Sequence, residues 1–528
     1  MIAKSRSVEI YDTTLRDGAQ GMRVTFSLQD KISLTLRLDE FGIPFIEGGW
    51  PFSNPKDEEY FKAIRDYPLR QAKVVAFGST RRKGARPEED ENLNAIVKCD
   101  VDYAALVGKS WILHVKEVLR VKPEENLDMV YDSINYLRDH GIKVIFDAEH
   151  FYDGYKDDPE YAVKVLEVAR EAGAERIVLC DTNGGTLTHE FYEITRKVCE
   201  KFGNCVGVHC HNDSGLAVAN SLMAVVAGAV HIQGTVNGIG ERCGNADLCQ
   251  IIPALEVKMG YKALNSGFNG LRGLRDLSLF VYNLIGMEPN PYQPYTGQYA
   301  FAHKAGIHSD GVIKVSRAYE HIDPELVGNE RFIAVSEISG RSAIVYKAKR
   351  FGLSLERNDS VVFKALKMVK ELEASGKIFE DADGSLYLLL LKAMNAYRPH
   401  FEVLSWAVTS RGGKGGLRSL CTVKLRVKDK IVTSIAEGLG PVHAQDLALM
   451  RALRSEYPDL ERVSLINYKV SIVGRSAGTA SVVRVLIEFK GDGEHWTTTG
   501  SSANILEASM EALVEGYEYY LHRREAKQ

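Results

Sequence analysis

The chain has 528 residues, too many for one ordinary core, and its 45% apolar and 26% charged content is that of a soluble globular protein. A net charge of −4 without long like-charged runs excludes a basic nucleic-acid footprint. The opening MIAKSRSVEIYD has no apolar leader core, the longest apolar stretch (Leu216–Ile232) falls short of a membrane span, and the eight cysteines include no CxxC pair. A cytoplasmic protein with reduced thiols and neither membrane nor nucleic-acid partner is expected.

Short β-rich runs recur through the first half: Val8–Asp12, Pro44–Gly48, Lys73–Gly78, Tyr103–Gly108, Lys143–Asp147, Arg176–Asp181, Cys205–His211 and Val230–Val236. Helical patterns lie between them, as in Asp128–His140 and Pro159–Ala172. Gly42, Gly141 and Gly173 stand where helices should stop. Repeated βα units predict an α/β fold, a TIM (β/α)8 barrel over residues 1–265, in preference to a doubly wound open sheet. Leu216–Ile232 reads as a buried helix.

From residue 266 to 402 the pattern changes. Pro289–Gly311 is rich in Pro, Tyr and Gly, and helical segments follow at Ser360–Ser375 and Ser385–Ala396, so a mostly helical linker and lid is expected. Residues 403–528 alternate again, with Val423, Leu425 and Val427 against Lys424 and Arg426, and with Val483, Val485, Ile487 and Phe489. Aligning GPVHAQDLALMRAL (from Gly440) with GSSANILEASMEAL (from Gly500) pairs Gly440 with Gly500 and Leu453 with Leu513. A duplicated α+β domain follows.

In a TIM barrel the chemistry sits at the C-terminal strand ends. There the sequence puts Arg16, Asp17 and Gln20 in YDTTLRDGAQ, Glu47, Glu149, then Asp181, Thr182 and Asn183, then His209 and His211 in VHCHND, and Asn237, Glu241 and Asn245 in NGIGERCGNAD. His209 and His211, two apart on a strand, project to one face and leave Cys210 on the other. With Asp17, expected from an adjacent strand, they form a two-imidazole, one-carboxylate set suited to a divalent metal. Glu149, Glu241 and His308 are candidates for proton transfer. NGIGERCG lacks the glycine spacing of a dinucleotide fingerprint.

Together these motifs resemble the family of 2-isopropylmalate, homocitrate and citramalate synthases. The resemblance rests on DTTLRDGAQ, IEGGWP (Ile46–Pro51), DTNG (Asp181–Gly184), HCHND, NGIGERCGNADL, HKAGIHSDG (His303–Gly311) and RAYEHIDPELVG (Arg317–Gly328), in order along nearly the whole chain. Ala19, IEGGWPFSNPKDEEYF and GKSWILHVKEVL favour the citramalate branch.

The resemblance implies a Claisen-type condensation of acetyl-CoA with pyruvate and water, serving isoleucine synthesis. It implies a divalent ion (Mg, Mn, Co or Zn) on Asp17, His209, His211 and Asn245, with Arg16, Gln20 and Thr182 on the substrate. Arg16 would face the oxygen that gains charge. Glu149, or His308 oriented by Glu241 with Tyr319 close by, would move the methyl proton, with the lid that carries His308 and Tyr319 coming from the partner of a homodimer. The C-terminal domain would bind isoleucine as feedback inhibitor, with the turns Gly438–Pro441 and Gly474–Gly478 as candidate carboxylate cradles. Rival expectations are a 2-isopropylmalate or homocitrate synthase, a hydroxymethylglutaryl-CoA-lyase-like enzyme, and a catalytically dead amino-acid sensor. Phe77, Leu106 and Asp147 are expected to set the size of the keto acid.

Overall fold

The computed structural model describes residues 7–265, 270–413, 416–474 and 478–527. Eight parallel strands close into a barrel in sequence order: β1 (Glu9–Asp12), β2 (Phe45–Gly49), β3 (Lys73–Ser79), β4 (Tyr103–Lys109), β5 (Lys143–Glu149), β6 (Arg176–Asp181), β7 (Val206–Cys210) and β8 (His231–Gly234). β1 closes the ring by pairing with both β2 and β8.

The period-2 alternation sorts the side chains. Tyr11, Val75, Phe77, Ala105, Ile145, Val178 and Cys180 pack inside the barrel. Ile10, Ile46, Ala76, Phe146, Leu179, Val208, Cys210 and Ile232 face the helices and join the larger core there. Leu106 belongs to that outer layer, so it does not face the site as the sequence suggested; one step of register gives the wall to Val107.

Local signals set the helix limits. Ser27 and Asp30 form a capping box at the start of Leu28–Phe41, and Gly42 ends that helix at φ 103°, a conformation glycine adopts without steric cost. The apolar stretch from Leu216 is helical only over Ala217–Ala227; Gly228 stops the helix and the chain continues into β8. At the floor of the barrel, Arg176 donates to Glu9 at 2.9 and 2.7 Å, and His231 Nδ1 lies 3.3 Å from the same carboxylate.

The chain divides into two compact units. One is Met1–Phe301 with Ile322–Glu330, the other Ala302–His321 with Arg331–Gln528. The second unit begins with short parallel strands (Ala302–His303, Phe332–Ile333) and the helices Gly306–Lys314, Arg341–Arg350, Ser360–Ala374 and Asp383–Ala393. A twofold repeat follows, each half three antiparallel strands and a helix. The first half is Phe401–Gly413, Gly416–Val427, Lys430–Gly438 and helix Pro441–Leu453. The second is Ser464–Val473, Val482–Gly491, Glu494–Ser502 and helix Ile505–Glu525.

Both halves feed one core, with Val423, Leu425, Leu449 and Leu453 beside Val485, Ile487, Phe489 and Leu513. The duplication stands, but its alignment shifts. The helix N-caps are Gly440 and Asn504, and Gly500 lies within the last strand, its Cα close to the Ala508 backbone. Of the two turns expected as cradles, Gly474–Gly478 lies partly outside the described residues. No helix among the described residues is long and apolar enough to cross a membrane.

Candidate active site at the barrel mouth

The segment after β1 places Arg16 and Asp17 over the barrel mouth. Glu47, fully buried on β2, organises it: the Tyr11 hydroxyl donates to it at 2.7 Å, the Thr13 hydroxyl also donates, and Arg16 donates from Nε at 2.6 Å. Arg16 Nη1 donates to Asp17 at 3.0 Å, and its guanidinium lies 3.9 Å over the centre of the Phe77 ring. Arg16 and Asp17 are therefore partners of one another as well as members of the site. Gly18 leaves room for Ile239, whose side chain an added Cβ would crowd at 3.1 Å.

β7 presents His209 and His211 inward together. His209 Nε2 lies 3.3 Å and His211 Nε2 3.9 Å from Asp17 Oδ2, and the two Nε2 atoms are 3.4 Å apart. Asp17 is not on a neighbour of β7, as the sequence reading had it. β8 stands between β7 and β1, and alternate strands of such a barrel contribute to the same interior layer.

The intervening β8 supplies Gln233. Its Nε2 donates to Asp147 at 3.0 Å, so its Oε1 accepts from His209 Nδ1–H at 2.9 Å. That holds a hydrogen on His209 Nδ1 and turns Nε2 toward Asp17. Asn245 is bridged to His211, donates from Nδ2 to Asp17 at 3.3 Å, and holds its own Oδ1 buried without a hydrogen-bond partner. Gly240, at φ 154°, gives that amide its space: a Cβ there would fall 2.2 Å from Asn245 Nδ2.

Electrostatics follow from burial and pairing. Burial opposes the Arg16 charge, but Glu47 and Asp17 outweigh it and hold the guanidinium protonated beyond its usual range. Burial would raise the Asp17 carboxyl, yet Arg16 and His209 hold it well below the usual carboxylate range. Burial, with His209 beside it, lowers His211 to about 4, a neutral ring with a lone pair to give. Burial and Glu47 push Asp147 up to about 7.

The ligand atoms of Asp17, His209 and His211 lie within 4.8 Å of one another. With the unpartnered Asn245 oxygen, this donor set fits a divalent cation. The cluster opens on a cavity of about 760 Å³, whose lining includes Arg16, Gln20, Glu149, Thr182 and Glu241. Thr182 Oγ1 accepts the His150 N–H at 2.9 Å, which leaves its hydroxyl hydrogen available. Glu149 is ion-paired with Lys109, and Glu241, largely exposed, lies 3.4 Å from Arg242. His308 and Tyr319 belong to the second unit, where their ring centres lie 4.5 Å apart with the planes tilted by 32°.

Two strand-end groups turn elsewhere. Asp181 faces outward and accepts from the Thr186 hydroxyl at 2.9 Å, and Asn237 accepts from Ser278 at 2.5 Å.

Known proteins match along the length. The family described as HMGL-like matches residues 7–278, a homocitrate synthase post-HMGL domain-like region 295–377, and the LeuA allosteric (dimerisation) domain 380–521. An (R)-citramalate synthase of Sulfolobus acidocaldarius is 50% identical over 98% of this chain and 97% of its own. That of Geobacter sulfurreducens is 47% identical over 98% of each. The chain belongs to the (R)-citramalate synthase family. A 2-isopropylmalate synthase of Methanocaldococcus jannaschii is 32% identical over 98% of this chain and 95% of its own.

In this member of the citramalate synthase family, Gln233, Lys109, Tyr11 and Glu47 join the site without a sequence motif that announces their contacts. A register signal was present for Gln233: it shares the inward register of β8 with His231, and a polar residue there needs a partner.

Proposed function

We propose that the barrel condenses the acetyl group of acetyl-CoA with pyruvate and water, giving (R)-citramalate and free CoA. The observation that carries this reading is the juxtaposition of Arg16 with the Asp17, His209 and His211 cluster on one cavity. Asp17, His209, His211 and Asn245 would hold a divalent ion, which when bound would supply Lewis acidity toward the keto carbonyl. Arg16, fixed by Glu47 and Phe77, offers a preorganised cation to the ketone oxygen as it gains charge. Thr182 donates its free hydroxyl hydrogen to the keto-acid carboxylate.

The acetyl methyl loses a proton, its carbon attacks the ketone carbon, and the ketone oxygen ends protonated. Water then cleaves the thioester C–S bond to a carboxylate and a thiol. Glu149 in the cavity wall, or the partner's His308 oriented by Glu241, is the candidate for the methyl proton. Phe77 and Trp50, whose rings meet edge to face at 5.3 Å, line the cavity beside Arg16 and favour a keto acid with a methyl tail.

The test is CoA release with pyruvate, 2-oxoisovalerate and 2-oxoglutarate in parallel, with and without a chelator. Turnover is expected to be fastest on pyruvate and lost on metal removal. Faster turnover on another keto acid would overturn the substrate, and chelator-insensitive turnover the metal.

We further propose that the C-terminal repeat pairs two chains and binds isoleucine, the end product of the route this reaction opens. The match to a LeuA allosteric (dimerisation) domain supports that reading. Deleting the repeat near residue 400 is a poor test, because Tyr387, Leu388 and Leu391 of the preceding helix are buried in its core. Calorimetric binding of isoleucine, leucine and valine to the full chain is cleaner. Binding of leucine in preference to isoleucine would sink the assignment.

A further inference from the structure

Remote from the barrel cluster in sequence, the second unit holds another group of metal-ligating side chains. Glu518 and His522 lie one turn apart on the helix Ile505–Glu525, and His400 precedes the strand Phe401–Gly413. Glu518 and His522 are buried, and the His400 side chain is 7% exposed. We propose that His400, Glu518 and His522 form a structural site for a divalent transition metal, zinc foremost, that fastens the entry of the repeated domain to its last helix.

The geometry fits such an ion. Glu518 Oε2 lies 2.9 Å from His400 Nδ1 and 3.6 Å from His522 Nε2, and one ligand atom from each residue falls within 4.8 Å of the other two. Zinc bound by nitrogen and oxygen at about 2.0–2.1 Å in a tetrahedron sets its ligands about 3.3 Å apart, between the two separations observed.

The supporting contacts aim the donors inward. Glu518 Oε1 accepts the backbone N–H groups of His400 at 2.9 Å and Phe401 at 3.2 Å, so Oε2 is left to the rings. His400 Nε2 lies 3.0 Å from the Glu525 carboxylate; donating its hydrogen there leaves the Nδ1 lone pair for a metal. This is the carboxylate–histidine–metal arrangement that orients many ligating imidazoles.

An ion pair alone explains less. A protonated His400 would satisfy Glu518, but His522 Nε2 is buried without a hydrogen-bond partner, with the ring stacked edge to face on His400 at 4.6 Å. A buried ring nitrogen left in this way costs free energy that a metal bond recovers. Two imidazoles and one carboxylate are the donors that borderline divalent ions prefer over magnesium or calcium.

The test uses the full chain carrying His209→Ala and His211→Ala, which silence the barrel cluster, stripped with chelator and then titrated with Zn2+ against a competing dye and with Co2+ by visible absorption. One equivalent of zinc per chain is expected below about 1 µM free ion. Cobalt should show the intense bands of a low-coordinate nitrogen and oxygen site. Adding His522→Gln should weaken zinc binding by more than about 10-fold. The proposal is overturned if the barrel-silenced chain binds no zinc in that range, or if the His522→Gln chain binds its equivalent undiminished. Should His522→Gln fail to fold, the cobalt spectrum of the barrel-silenced chain decides: bands of low-coordinate cobalt support the site, and the weak bands of six-coordinate cobalt overturn it.

Discussion

The two clusters of imidazole and carboxylate use the same donors beside different neighbours. At the barrel mouth, Asp17 is shared between His209, His211 and Arg16, and the group opens on a cavity large enough for substrate. In the second unit, Glu518 is shared between His400, His522 and two backbone amides, and it lines a cavity together with Tyr397, Trp406 and Met510. An open position beside a substrate-sized cavity is what metal catalysis needs. Donor type alone does not distinguish the two clusters; the groups beside the donors do, Arg16 in one and two backbone amides in the other.

The largest effect that would break this contrast is on Asp17. Asp17→Ala should remove one metal equivalent and lower turnover by more than about 10³-fold, the loss of several kcal/mol of Lewis-acid stabilisation. Comparable turnover in that variant would mean that the barrel cluster is a fastening too. Arg16→Lys should keep its metal, read by elemental analysis, yet lose about 10²–10³ in kcat, because a point charge replaces a fork fixed by Glu47 and Asp17. Near-parental kcat would remove Arg16 from the chemistry.

Gln233→Leu probes the layer behind the barrel ligands. It frees the His209 tautomer, so metal affinity should fall about 10–100-fold with the fold intact. An unchanged affinity would show that Asp17 alone orients the ring.

The smallest effect concerns Asp147, at the end of the same relay. Its carboxyl is raised from 3.8 to about 7, by burial first and Glu47 next, so the folded chain holds a proton that the unfolded chain releases. The stability from this group is complete below about pH 4 and is lost as pH rises through 7. In metal-free protein, Asp147→Asn should therefore gain several degrees of unfolding temperature over the parent at pH 8 relative to pH 5. A difference that does not change with pH would count against the assignment.

Much of the barrel was legible because period-2 runs, 3.6-period runs and stop glycines alternate without conflict. The site was legible at the level of strand ends and illegible at the level of facing. Asp181 and Thr182 are neighbours, yet one turns outward and the other lines the cavity. Closure of the ring makes β1 and β7 both neighbours of β8, which no local pattern reports. His400 and Glu518 are 118 positions apart, and nothing near either residue announces the other.

The interleaved division of the chain bears on how such proteins can be recombined. Passing from the first unit to the second and back, the chain crosses at residues 301–302, 321–322 and 330–331. Ile322 and Val327 are buried in the barrel unit's core, and Asn329 donates to the carbonyls of Tyr295 and Gly297. A chimaera made by one exchange after residue 301 would press those residues from one parent against the barrel of another. Grafting the second unit of a relative onto this barrel calls for residues 322–330 to travel with the barrel, as an exchange at three junctions.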